Sequence, residues 1–181
     1  MTPEEFRMKV LPEGRRLYAL AFRFLNNREE AEDAVQEVMM KLWAERNRER
    51  SYESVAAWCT TVTRNCCIDV LRRRKRWQTD SSGTKALSET IHPGSDLAGE
   101  KREAAGLIAV IVSRMKEPGR SAVIMRDLEG YSYEETAEAL GSNVTAVRTV
   151  ISRARKEIRE EMEKIYQYGT GEDKRAARPL L

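Results

Sequence analysis

The stretch from Gly130 to Arg159, GYSYEETAEALGSNVTAVRTVISRARKEIR, decides the fold. Ser132 followed three residues later by Glu135 is a capping box that starts a helix. Tyr133, Ala137 and Leu140 form its buried stripe. Gly141 suits a left-handed turn, and Asn143 is a good N-cap for a second helix. There Val147, Ile151, Ala154 and Ile158 recur at i, i+4, i+7 and i+11, one apolar face. Arg148, Ser152, Arg155 and Arg159 repeat that spacing one residue on, and Thr149, Arg153 and Lys156 widen the polar face. Two helices joined by a tight Gly turn are a helix-turn-helix. A solvated amphipathic helix would carry mixed charge, whereas residues 144–159 hold five bases and one acid. Such a face suits the major groove, where each bidentate Arg–guanine pair supplies roughly 1–3 kcal/mol of discrimination.

Upstream, a helix from about Lys101 carries Leu107, Ile108, Ile111, Val112 and Met115 on one side. Pro118-Gly119 ends it or starts the next, a short helical piece runs from Arg120 to Asp127, and Gly130 stops that piece. The 24 residues from Trp77 to Glu100 carry four acids and one base, with Gly, Pro, Ser and Thr but no apolar period. They read as a flexible acidic linker. Before it, Arg72-Arg73-Arg74-Lys75-Arg76 is five consecutive cations.

The N-terminal part reads as helical throughout. Thr2-Pro3-Glu4-Glu5 is a cap, a first-turn Pro and a capping-box Glu. Leu17, Leu20, Ala21, Phe24 and Leu25 make an apolar stripe, broken by Asn26-Asn27. A second stripe is Val35, Val38, Met39 and Leu42. A third helix from about Ser54 turns Val55, Trp58, Cys59, Val62, Cys66 and Val70 inward and ends in the basic run. The fold class expected is all-α: two small helical domains joined by a flexible linker, the second a helix-turn-helix. The boundaries expected are 1–76, a linker over 77–103, a helix-turn-helix domain over 104–168, and a disordered tail over 169–181.

Composition excludes several functions. The chain has 181 residues, 41% hydrophobic and 34% charged, enough apolar material for small cores. No stretch approaches the roughly 20 apolar residues of a membrane span, so no membrane insertion is expected. No signal peptide precedes the first helix, so a cytoplasmic place of action is expected. His92 is the single histidine and falls in the linker, and Cys59, Cys66 and Cys67 form no C-x-x-C pair. No Gly-rich phosphate loop or paired catalytic acids occur, so no enzyme activity, metal or cofactor is expected. Two basic patches on two tethered modules suggest two footholds on one polyanion.

Asp33-Ala34-Val35-Gln36-Glu37-Val38 with Leu42-Trp43, and the run Trp58 to Arg74, resemble the second conserved region of bacterial sigma factors. Gly130 to Gly141, followed by Val147-Arg148 and Ser152 to Lys156, is similar to their fourth region. The subgroup resembled is the small extracytoplasmic-function (ECF) type. The resemblance implies that Asp33, Gln36 and Glu37 face the β′ clamp helices of core RNA polymerase. It implies that Asn47, Arg48, Ser51, Tyr52, Arg64, Asn65, Arg72 and Arg73 face the minus-ten element of promoter DNA. It makes Arg148, Thr149, Ser152 and Arg153 base readers at the minus-thirty-five element, and Thr145 and Arg155 backbone contacts, with the β-flap bound nearby. Two departures are Met39, where the family usually carries Phe, and Val150, where it often carries Arg. Tyr52, Trp58 and Trp77 are aromatics near cations, the ingredients for stacking unpaired bases, although Trp58 falls on the apolar stripe. The exposed basic faces would suit sequestration by an anti-sigma factor.

A stand-alone helix-turn-helix regulator is the rival reading. It explains the C-terminal part but leaves Asp33, Gln36, Glu37 and the basic third helix idle. An adaptor that binds a partner helix through the tail from Tyr166 to Leu181 is another.

Overall fold

A computed structural model describes residues 1–47, 54–80 and 99–176. Helix α1 spans Pro3–Lys9, capped by Thr2 and Glu5 in a reciprocal capping box, as the sequence predicts. A 3₁₀ turn, Leu11–Glu13, leads into α2, Gly14–Leu25. Asn26 takes the left-handed conformation (φ 49°) that ends α2, and Asn27 accepts a hydrogen bond from the Glu30 amide to open α3, Arg28–Ala44. So short a connection folds α2 and α3 back on each other. Helix α4 is Val55–Asp80, with the Ser54 hydroxyl accepting from the Ala57 amide. It runs beyond Arg76, into the stretch expected as linker.

The second group opens with α5, Gly99–Arg114, and α6, Gly119–Val123, which continues into a π-helical turn, Ile124–Leu128. Helix α7, Tyr133–Ala139, begins at the Ser132–Glu135 capping box. Gly130 (φ 73°) and Gly141 (φ 59°) take the left-handed conformation before and after it. Helix α8, Val144–Ala176, starts where Asn143 accepts from the Ala146 amide. Its helical backbone passes residue 168, where the sequence suggested a tail would begin. Gly169 and Gly171 carry the local signal against helix there, and the long continuous helix overrides it.

The predicted stripes are buried. Leu17, Leu20, Ala21, Phe24 and Leu25 are all at or below 1% exposure, with Val38, Leu42 and Trp58 packed alongside. Each large apolar side chain so buried contributes about 1.5–3 kcal/mol. Val147 and Ile151 close a smaller core with Ala122 and Ala137 inside the helix-turn-helix.

The two groups do not stand apart. The core of α2–α4 continues through Val112, Met115, Val123, Ile124, Met125 and Tyr131. Around that apolar contact lies a ring of ions. Arg16 meets Glu135 at 2.8 Å and lies over the Tyr131 ring at 4.0 Å. Arg23 meets Glu129 at 2.8 Å, and Arg120 donates to the Phe24 carbonyl at 2.7 Å. In three ion pairs among the described residues of this face, Arg64–Glu117 included, the N-terminal group supplies the arginine and the C-terminal group the glutamate.

Candidate nucleic-acid interface and polymerase-facing surface

On α8 the apolar face is spent on packing, so the opposite face is open. Arg148, Thr149, Ser152 and Arg153, expected as base readers, and Thr145, expected as a backbone contact, are all exposed. They are not equally free. The Thr149 hydroxyl donates to the Thr145 carbonyl at 3.1 Å, within its own helix. Arg155, also exposed, is engaged. Its guanidinium is bidentate to Asp127 at 2.9 and 2.6 Å, a contact that raises its pKa. Its fork ties α8 to the π-helical turn, while the side chain stays 51% exposed. Local sequence could not reveal this, because Asp127 lies 28 residues away in a different helix.

Helix α4 divides the predicted minus-ten residues. Asn65, Arg72 and Arg73 are exposed. Arg64 is turned inward, its side chain 15% exposed. Its Nε donates to the Ser121 hydroxyl at 3.1 Å, its Nη1 to Asn65 at 3.0 Å, and Glu117 lies 3.6 Å away. Burial pulls its pKa down against the support of Glu117. Arg64 is therefore covered by the helix-turn-helix group and is not presented to DNA here. Arg74 is likewise engaged, with Glu30 and the Leu25 carbonyl. Asn47 is exposed at the end of the turn that follows α3. Arg48, Ser51 and Tyr52 lie outside the described residues. Trp58 is 2% exposed, a core residue, whereas Trp77 is 75% exposed beside the basic run.

The polymerase-facing expectation falls on α3. Asp33 and Gln36 are exposed. Glu37 is half-buried and pairs with Lys41 at 2.6 Å, a hydrogen bond that holds its carboxyl below the ordinary carboxylate range. Met40 and Trp43 follow at helical spacing, 73% and 40% exposed. An exposed Met and Trp beside acids make an amphipathic strip, with the Arg46 guanidinium over the Trp43 ring at 4.0 Å. Sequence reading assigned these two no role, although their i+4 and i+7 spacing from Gln36 was the available signal. Met39 packs against the core, so the large apolar side chain at that departure is retained. Val150 is half-buried against the helix-turn-helix core and offers no polar contact.

The comparisons agree with this division. The family pattern described as Sigma-70 region 2 matches residues 10–77, and that described as Sigma-70, region 4 matches residues 106–158. The chain is 30% identical over 154 residues to ECF RNA polymerase sigma factor SigE of Mycolicibacterium smegmatis, covering 82% of this chain and 58% of that protein. It is 30% identical over 141 residues to ECF RNA polymerase sigma factor SigM of Mycobacterium tuberculosis, covering 78% of this chain and 68% of that one. In structure it is similar to the sigma factor RpoE of Bartonella quintana, solved in complex with the anti-sigma factor NepR, with a TM-score of 0.70 and 27% identity. That match covers 88% of this chain and 98% of the other. Both regions match in order on one helical chain, and the chain therefore belongs to the sigma-70 family, among the ECF RNA polymerase sigma factors.

Proposed function

We propose that the chain binds core RNA polymerase and directs it to promoters, acting in the cytoplasm as a non-enzymatic initiation factor. The observation that carries this is the pairing of two surfaces on one chain. One is the acidic and apolar strip Asp33, Gln36, Met40 and Trp43 on α3; the other is the exposed Arg148–Arg153 face of α8. The first suits a basic protein partner, and the second suits duplex DNA. Asn65, Arg72 and Arg73, with Asn47 and the residues that follow it, would hold the minus-ten strand. Binding energy there offsets part of the cost of unstacking bases.

Arg64 gives the order of events. With Glu117 and Ser121 on it, Arg64 reaches DNA only after the two helical groups part. Docking of α3 on polymerase would supply the energy for that parting. An anti-sigma factor would act in the opposite sense. The groove between α2, α4 and α5 has an apolar floor of Phe22, Leu25 and Ile68 and a rim of Arg23, Arg72 and Arg114. An acidic amphipathic helix of an anti-sigma factor suits it.

Gel shifts on promoter fragments, with and without core polymerase, test the reading. Tight binding is expected only with core present. Equal binding by the chain alone would favour the stand-alone regulator and overturn the proposal.

A further inference from the structure

Tyr133 is the first residue of α7, set in place by the Ser132 cap. It is half-buried between α8 and the π-helical turn. Its ring receives two guanidinium groups, Arg126 at 4.7 Å and Arg148 at 5.2 Å from the ring centroid. One aromatic thus lies under two arginines, and their remaining contacts differ. Arg126 donates to the Tyr131 carbonyl at 3.0 Å. Among the described residues, none accepts a hydrogen bond from Arg148.

The chemistry of stacking gives that difference a use. A guanidinium on an aromatic ring is attracted through its flat face, while its N–H donors lie in the plane and point past the ring edge. Arg148, held over the ring, therefore keeps its donor fork, but with fewer rotamers to lose when it meets a guanine edge. A fully solvated arginine at the same place would lose that freedom on binding. We propose that Tyr133 is a positioning residue that sets Arg148 for base reading, and so fixes base preference at one position of the upstream element. This rests on the reading of α8 as the helix that enters the groove. It assigns Tyr133 no base contact of its own.

The test uses holoenzyme assembled from core polymerase and the full chain, and selection from promoter fragments randomised over the upstream element. R148A is expected to flatten preference at a single position. Y133M, which removes the ring, should weaken preference at that same position by about twofold to fivefold, the size of an exposed cation–π contact. It should leave the other positions unchanged and add nothing to R148A in the double variant. Y133F keeps the ring and should behave as the parent. Uniform loss across all sequences in Y133M would overturn the inference. So would equal flattening by Y133F and Y133M, and a misfolded Y133M leaves the Y133F arm decisive, since flattening there refutes a ring-face role. If R148A flattens no position, the groove-reading assignment itself fails and the inference falls with it.

Discussion

Replacing Glu117 with Gln should loosen the two helical groups from each other. Glu117 is the anion nearest Arg64, 3.6 Å from a guanidinium that is only 15% exposed. At an effective dielectric of about 20, charges that far apart attract by about 4–5 kcal/mol before costs. Glu117 is 34% exposed, so solvent screening, desolvation of Arg64 and ordering of both side chains cancel most of this. A net of about 1–2 kcal/mol remains, which moves the docked-to-parted ratio by roughly 5- to 30-fold. Glutamine keeps an oxygen for the Ser121 hydroxyl, which donates to Glu117 at 2.5 Å, so the change removes charge with little loss of shape. Energy transfer between dyes on cysteines introduced at Glu32 and Glu157, both exposed, would read the separation. Transfer should fall in E117Q, and rising salt should lower it in the parent more than in the variant. Unchanged transfer in E117Q at every salt concentration would refute the view that this ion pair helps hold the groups together.

Other outcomes follow from burial and charge. Leu20→Ala removes a side chain with 0% exposure and should cost about 2–5 kcal/mol in urea unfolding. A cost below about 1 kcal/mol would mean that α2 does not carry the core. Glu135 is bonded by the Ser132 amide and Arg16, which together outweigh burial and hold its carboxyl below the ordinary value of 4.5. Its contribution to docking is therefore complete above about pH 4.5 and is lost as pH falls through the depressed value. An acid titration of the dye separation should show loosening on that side only. Burial raises the Cys66 thiol and pushes Cys67 up to about 12. All three thiols are buried, so a disulfide reagent at pH 8 should react only as fast as the chain opens. Immediate reaction would contradict the packing of α4.

What the sequence revealed was local. The stripe from Leu17 to Leu25, the Ser132–Glu135 box, and the turns at Gly130 and Gly141 each depend on residues within a turn or two, and each could be read directly. The engagement of Arg64 was not legible, because a polar residue on a helix faces water by default. Its partners Ser121 and Glu117 lie more than fifty residues away, and no periodicity announces them. Glu135 was read as a cap, which it is, yet its second oxygen serves Arg16, 119 residues distant. The same gap explains Arg155, whose basic character was legible and whose partner Asp127 was not. Exposure of Met40 and Trp43 was legible from the wheel of α3, since both fall with Gln36 on the face opposite the Val35, Val38, Met39 and Leu42 stripe.

Run-off transcription on genomic fragments, with core polymerase alone and with this chain added, tests the central claim most directly. New start sites that appear only with the chain, sharing one upstream and one minus-ten sequence, are the predicted result. Starts identical to those of core alone, from a chain shown to be folded, would contradict it.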